Sequence, residues 1–145
     1  METGMINKHI TINAADYEVW DVLVKEQHTR KWASAFDEGV TVDSDWLEGS
    51  EVNWKDKTGK VIARGKVTAN VIYKKLSVLY YDDTEEQQAA APGEYSETYT
   101  LKKQGDDVTV LAAEIGPLNP EELMQHGVMW DAALSQIRTI AEEGE

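Results

Sequence analysis

The chain contains no cysteine. That excludes disulfides, thiolate metal sites and cysteine nucleophiles, and it fits a reducing compartment, so the expected location is cytoplasmic. Cations are scarce as well: 14 Lys and Arg stand against 27 Asp and Glu, a formal net charge of -13. A surface this negative repels phosphate backbones and anionic membranes, and no basic stripe interleaved with aromatics offsets it. Nucleic acid is therefore not expected as a partner. No apolar run approaches bilayer-spanning length, so no membrane insertion is expected either. The first residues, "METGMINKHITI", lack the basic patch, apolar stretch and small-residue cleavage site of a secretory signal.

Several chemistries are missing too. The histidines His9, His28 and His126 are far apart and share no ligand spacing with carboxylates, so no metal and no cofactor is expected. "LEGSEVNWKDKTGK" has glycines and lysines without the spacing of a phosphate loop. "AAAPGEYS" offers no serine in a nucleophile-elbow arrangement.

What the chain does have is large amphipathic aromatics: five Trp and six Tyr against one Phe. Such side chains join an apolar body to a polar tip, which suits pocket walls as well as cores. At 145 residues, with no internal repeat and no low-complexity linker, residues 1–145 read as one domain able to bury a core and a cavity.

The order of elements follows from periodicity. "MINKHITIN" alternates apolar and polar residues, which predicts a strand burying Ile6, Ile10 and Ile12. A helix follows from about Asp16, capped by Asn13, with Val19, Trp20 and Leu23 as its apolar stripe; a second short helix is expected from Glu26 to about Trp32. Strand signals then succeed one another, from "GVTVDSDW" to "DDVTVLAAEI", separated by turn chemistry such as "KTGK" and "QGDD". Short turns between successive strands imply an antiparallel meander. "DDTEEQQAAAPGE" is the longest connection and the candidate lid. Asn119 and Pro120 open a final helix, whose stripe Leu123, Gly127, Trp130, Leu134, Ile137 and Ala141 advances by alternating fours and threes. The fold class is α+β: a strand, two helices, several antiparallel strands and one long closing helix.

This order is the helix-grip layout, and two stretches make the likeness specific. "TINAADYEVWDVLVKEQHTRKW" resembles the opening of the activator-of-heat-shock-protein-90-ATPase-like family, and "GVMWDAALSQIRTIAEE" resembles its closing helix. That family belongs to the wider SRPBCC superfamily, with START lipid-transfer domains, birch-pollen-type allergens and polyketide cyclases. The resemblance implies a curved antiparallel sheet of six to seven strands around the long C-terminal helix, with two short helices after the first strand. It implies a cavity between sheet and helix that holds a small hydrophobic or amphipathic molecule. Family precedent also admits a homodimer. In eukaryotic members a separate N-terminal domain supplies much of the chaperone contact, for which 145 residues leave no room, so chaperone contact is not expected.

The candidate site residues come from strand faces. In "KVIARGKVTANVIY" strict alternation puts Val61, Ala63, Gly65, Val67, Ala69, Val71 and Tyr73 on one face, mostly small, which leaves room opposite a helix. In "EYSETYTL" Tyr95, Glu97, Tyr99 and Leu101 share a face, so Glu97 stands between two tyrosines. A carboxyl in an apolar pocket has its pKa raised and can orient a ligand or act as a general acid or base. The competing reading pairs Glu97 with an inward cation, with Arg64 as partner if the alternation slips near Gly65. Trp32, Trp54, Tyr80, Trp130 and Leu134 complete the expected lining, together with Val67, Ala69, Tyr95, Glu97 and Tyr99. His28, Arg30 and Lys31 form either a cationic rim or a solvated helix face. Ligand binding is the leading reading. A cyclase- or hydrolase-type enzyme using Glu97 as acid or base, and a co-chaperone-like stress protein, are the alternatives. No nucleophile–base pair is in view, so Glu97 is the only catalytic candidate and binding ranks ahead of catalysis.

Overall fold

Strand β1 (Gly4–Ile12) opens the fold, and the chain turns at Asn13 into helix α1 (Asp16–Val24). The computed structural model describes residues 3–81 and 92–143, so the connection expected to act as a lid lies almost wholly outside the described residues. The cap of α1 is Ala15 rather than Asn13: the Ala15 backbone N–H donates to the Glu18 carboxylate at 2.9 Å. The Asn13 N–H is taken instead by Glu142 near the far end of the chain, also at 2.9 Å. Helix α2 (Glu26–Trp32) follows and runs into a single 3₁₀ turn, Ala33–Ala35. The Trp32 indole N–H donates to the Val22 carbonyl at 2.8 Å, so the second helix is fastened to the first by a buried hydrogen bond.

Six further strands follow: β2 (Thr41–Asp43), β3 (Glu51–Lys55), β4 (Val61–Val71), β5 (Lys75–Tyr81), β6 (Pro92–Gly105) and β7 (Val108–Leu118). They form one sheet in the order β1-β7-β6-β5-β4-β3-β2, and every neighbouring pair is antiparallel. Helix α3 (Pro120–Glu143) closes the chain, about 36 Å long at 1.5 Å per residue. Asn119 caps it: the Glu122 N–H donates to the Asn119 side chain at 2.8 Å, and the Asn119 N–H donates back to the Glu122 carboxylate at 3.2 Å. This is the helix-grip fold.

The helix does not lie evenly on the sheet. Its close backbone approaches are to β1 and β7, and it comes nowhere comparably near to β3, β4 or β5. Side-chain size explains the tilt. Ala113 of β7 and Ala133 of α3 are fully buried where the layers meet, and Leu123 comes within 3.2 Å of where a Cβ on Gly4 would stand. Trp130, Tyr99, Tyr80 and Trp54 hold the layers apart on the other side.

Two register breaks in β4 change which side chains face the helix. Trp54 pairs with Ala63 but Lys55 pairs with Val61, so Ile62 is an extra residue. Val67 pairs with Val78 but Ala69 pairs with Ser77, so Thr68 is extra too. The expected single face therefore runs only from Ala63 to Val67, with Val61 moved to the side of Lys55. Ala69 moves to the side of Ser77, away from the helix, and Val71 and Tyr73 are exposed.

Candidate functional site

Where helix and sheet diverge, a cavity of about 550 Å³ opens. Trp32, Ala33, Phe36 and Val40 wall it from the two-helix end. Trp54, Ala63 and Arg64 line it from β3 and β4, Tyr80, Tyr81, Tyr95 and Glu97 from β5 and β6, and His126, Met129 and Trp130 from α3. The volume lies within the usual 300–1,000 Å³ of small-molecule pockets.

Its polar centre is built by strand alternation. Tyr95, Glu97 and Tyr99 project from the same face of β6, and the register sets Glu97 between Val78 and Ile115 on the side that faces the helix. The Glu97 carboxylate accepts three phenols: Tyr99 donates to Oε1 at 2.9 Å, Tyr80 to Oε1 at 3.3 Å and Tyr95 to Oε2 at 3.1 Å. The Tyr80 oxygen in turn accepts the Trp54 indole N–H at 2.9 Å. Glu97 is half-buried as a residue, but its carboxylate is ringed by phenols and withdrawn from water. That burial pushes the carboxyl above its ordinary 4.5; the hydrogen bonds from Tyr99, Tyr95 and Tyr80 pull it back without cancelling the rise. Burial also raises the three tyrosines, and the Glu97 charge adds to it, so the phenols stay protonated.

Ring contacts stiffen the wall. Trp32 meets Trp54 edge to face at 6.3 Å, Phe36 meets Trp130 at 4.8 Å, and Tyr80 and Tyr95 are tilted at 5.7 Å. The Trp130 indole N–H is buried and has no acceptor among the described residues. It lies towards the Tyr95 hydroxyl without reaching hydrogen-bond geometry. The Arg64 guanidinium sits 5.3 Å from the centre of the Tyr81 ring, a cation–π contact.

Six of the residues singled out from the sequence come together on the cavity surface: Trp32, Trp54, Tyr80, Tyr95, Glu97 and Trp130. Val67, Tyr99 and Leu134 are buried and form no part of that surface, although Tyr99 reaches the site through Glu97. Ala69 is on the other face. His28 is not a rim cation, because α2 turns it inward to 4% exposure, whereas Arg30 and Lys31 are exposed. Glu114 is exposed on the outer face, between Asn7 and Thr98. Sequence reasoning did not assign Phe36, Tyr81, His126 or Met129 to the cavity, and named Arg64 only as a possible partner of Glu97. His126 was within reach, since it precedes Trp130 by one helical turn. Tyr81 was not, because it stands beside the register break between Leu79 and Tyr81. Among the described residues no three His, Asp or Glu side chains converge as metal ligands would, and no helix is long and apolar enough to cross a membrane.

Residues 13–142 match the family described as "Activator of Hsp90 ATPase homolog 1-like protein". Solved structures repeat the fold at low identity. Protein MLL2253 from Mesorhizobium loti superposes with a TM-score of 0.76 at 15% identity, over 98% of this chain and 99% of that one. The Aha1 dimer from Colwellia psychrerythraea gives 0.74 at 15%, over 98% of each chain. ChR145 from Cytophaga hutchinsonii gives 0.70 at 23%, over 99% of this chain and 97% of that one. No curated protein matches the chain.

Proposed function

The chain belongs to the Activator of Hsp90 ATPase homolog 1-like family, and from that premise we propose that it binds a small hydrophobic or amphipathic molecule between sheet and long helix. One observation carries the reading: an aromatic-walled space of about 550 Å³ lies over a buried polar cluster centred on Glu97. Apolar walls supply affinity through burial, and a few placed polar groups fix orientation. Trp32, Trp54, Tyr80, Tyr95, Glu97 and Trp130 are the residues we assign to the ligand, with Phe36 and Met129 beside them.

Native mass spectrometry and tryptophan quenching against lipid, aromatic and polyketide panels test this. A retained small molecule, or saturable quenching that Ala63→Trp abolishes by filling the cavity, is expected. No binder in any class would overturn the reading.

An enzyme of cyclase or hydrolase type in the same cavity is the second reading. The raised Glu97 carboxyl, turned towards the helix, favours it. Product formation from a bound polyketide or ester that Glu97→Gln stops would move it ahead of simple binding. As for partners, we expect no stimulation of a chaperone ATPase, a homodimer is left to sedimentation velocity, and the cysteine-free composition keeps the cytoplasm as the proposed location.

A further inference from the structure

The polar cluster is lopsided in a way that bears on the ligand. Glu97 receives three hydroxyl hydrogens, and Tyr80 a fourth donor from Trp54. Each phenol has one hydrogen, and all three are turned to the carboxylate. What Tyr80 and Tyr95 can still offer an incoming molecule is oxygen lone pairs. None of the ion pairs Lys8–Asp131, Lys25–Asp21 and Lys55–Asp43 involves Glu97, and what acts on its carboxyl is burial and the three phenols. A carboxylate withdrawn from water is costly, and a positive ligand would relieve that cost.

The walls suit the same sign. Seven aromatic side chains line the cavity: Trp32, Phe36, Trp54, Tyr80, Tyr81, Tyr95 and Trp130. Aromatic faces attract cations, most strongly where water is excluded. The chain uses this attraction itself, with Arg64 over Tyr81 on the same cavity surface. The surrounding field agrees, since a net charge of -13 draws cations and repels anions.

We propose that the cavity takes an organic cation: an amphipathic amine or quaternary ammonium whose head sits beside Glu97 within the ring of Tyr80, Tyr95 and Trp54, and whose apolar part lies against Phe36 and Trp130. The proposal deepens the ligand-binding reading and rests on it. The Trp130 N–H runs the other way, as a donor that a hydroxyl or ether oxygen of the same ligand can meet. Other charged groups face the site. Arg64 comes from β4, Asp37 from the segment after the 3₁₀ turn, and His126 from α3, with Glu122 acting on Tyr95 from the first turn of that helix. A cation bound beside Glu97 favours its ionised form, so binding expels a proton from the protein and strengthens as pH rises through the carboxyl's titration.

The test uses three probes of one shape, 4-phenylbutyl-trimethylammonium, 4-phenylbutanol and 5-phenylpentanoate, titrated into the whole chain by calorimetry and tryptophan fluorescence. The ammonium is expected to bind roughly tenfold or more tightly than the alcohol, with the carboxylate weakest. Glu97→Gln should lower the ammonium-to-alcohol ratio several-fold, leaving only the preference that the aromatic walls supply. The ammonium's affinity should rise with pH in the native chain and in His126→Gln, and stay flat in Glu97→Gln. If that variant does not fold, the native chain's pH profile and its proton release, read from calorimetry in two buffers, decide. Alcohol or carboxylate binding as well as the ammonium would overturn the cation proposal while leaving ligand binding intact. Failure of all three probes together with the lipid, aromatic and polyketide panels would overturn both.

Discussion

Glu97 shows how a single residue acquires a role from its neighbours. On an exposed strand it would be an ordinary carboxylate; here burial raises it and three phenols hold it in place. The consequence for stability has a definite sign. Below about 4.5 Glu97 is neutral both in the folded and in the unfolded chain and contributes nothing to the pH dependence. As pH rises above that, the unfolded chain loses this proton first, so stability falls until the raised native value is passed and stays at that lower level beyond it. Native stability should therefore decline relative to Glu97→Gln across that window, by at most about 1.4 kcal/mol per pH unit. Urea unfolding of both proteins from pH 4 to pH 8 measures the difference. A gap that is independent of pH, or that widens in favour of the native chain as pH rises, would show that burial does not dominate at Glu97.

At the scale of elements, β4 and β5 decide the shape of the wall. The small residues of β4 were read as empty space opposite the helix, but Gly65 is not empty. Tyr80 pairs with it across the strands, and a Cβ there would stand 2.9 Å from the Tyr80 ring and 3.0 Å from both the Leu79 carbonyl oxygen and a Val78 methyl. Gly65 thus lets the Tyr80 ring lie flat on the strand and carry its hydroxyl to Glu97. Gly65→Ala should destabilise the fold by about 1–3 kcal/mol, because the intruding methyl meets backbone as well as ring. It should also alter Trp54 emission, since Trp54 donates to Tyr80. An unchanged urea midpoint and an unchanged spectrum together would mean that the strands give way easily and that the close approach has no structural role. The breaks at Ile62 and Thr68 act on the same strand, turning Val61 to the side of Lys55 and Ala69 to the side of Ser77.

For the molecule as a whole, charge is the dominant long-range quantity. With 27 acidic against 14 basic side chains, folding gathers like charges that the unfolded chain spreads apart. Raising NaCl from 10 to 150 mM shortens the screening length from about 30 Å to about 8 Å, so salt should stabilise. An increase in Tm of roughly 2–4 °C, equivalent to about 1 kcal/mol, is expected by calorimetry. A fall in Tm would show that the surface is arranged as attractive pairs despite its net charge.

Much of this was legible in one dimension, for a physical reason. Helix and strand periodicities, the Asn119 cap, the turn residues and the tryptophan-marked ends are local features, so α1 to α3, the meander and the inward row Tyr95, Glu97, Tyr99 could be read before any contact was known. The family likeness rested on the same local stretches. Burial of His28, the exclusion of Ala69, the capture of Tyr80 by Gly65 and the convergence of Phe36, Arg64, Tyr81 and His126 on one cavity were not local. They depend on where strands slip by one residue and on how far α3 stands from each strand. Both are set by side-chain volumes meeting across the sheet, which a linear pattern does not record. The amino-acid order by itself determined the elements and the face that Glu97 shares with Tyr95 and Tyr99; only the tertiary structure decided that three phenols would converge on its carboxylate.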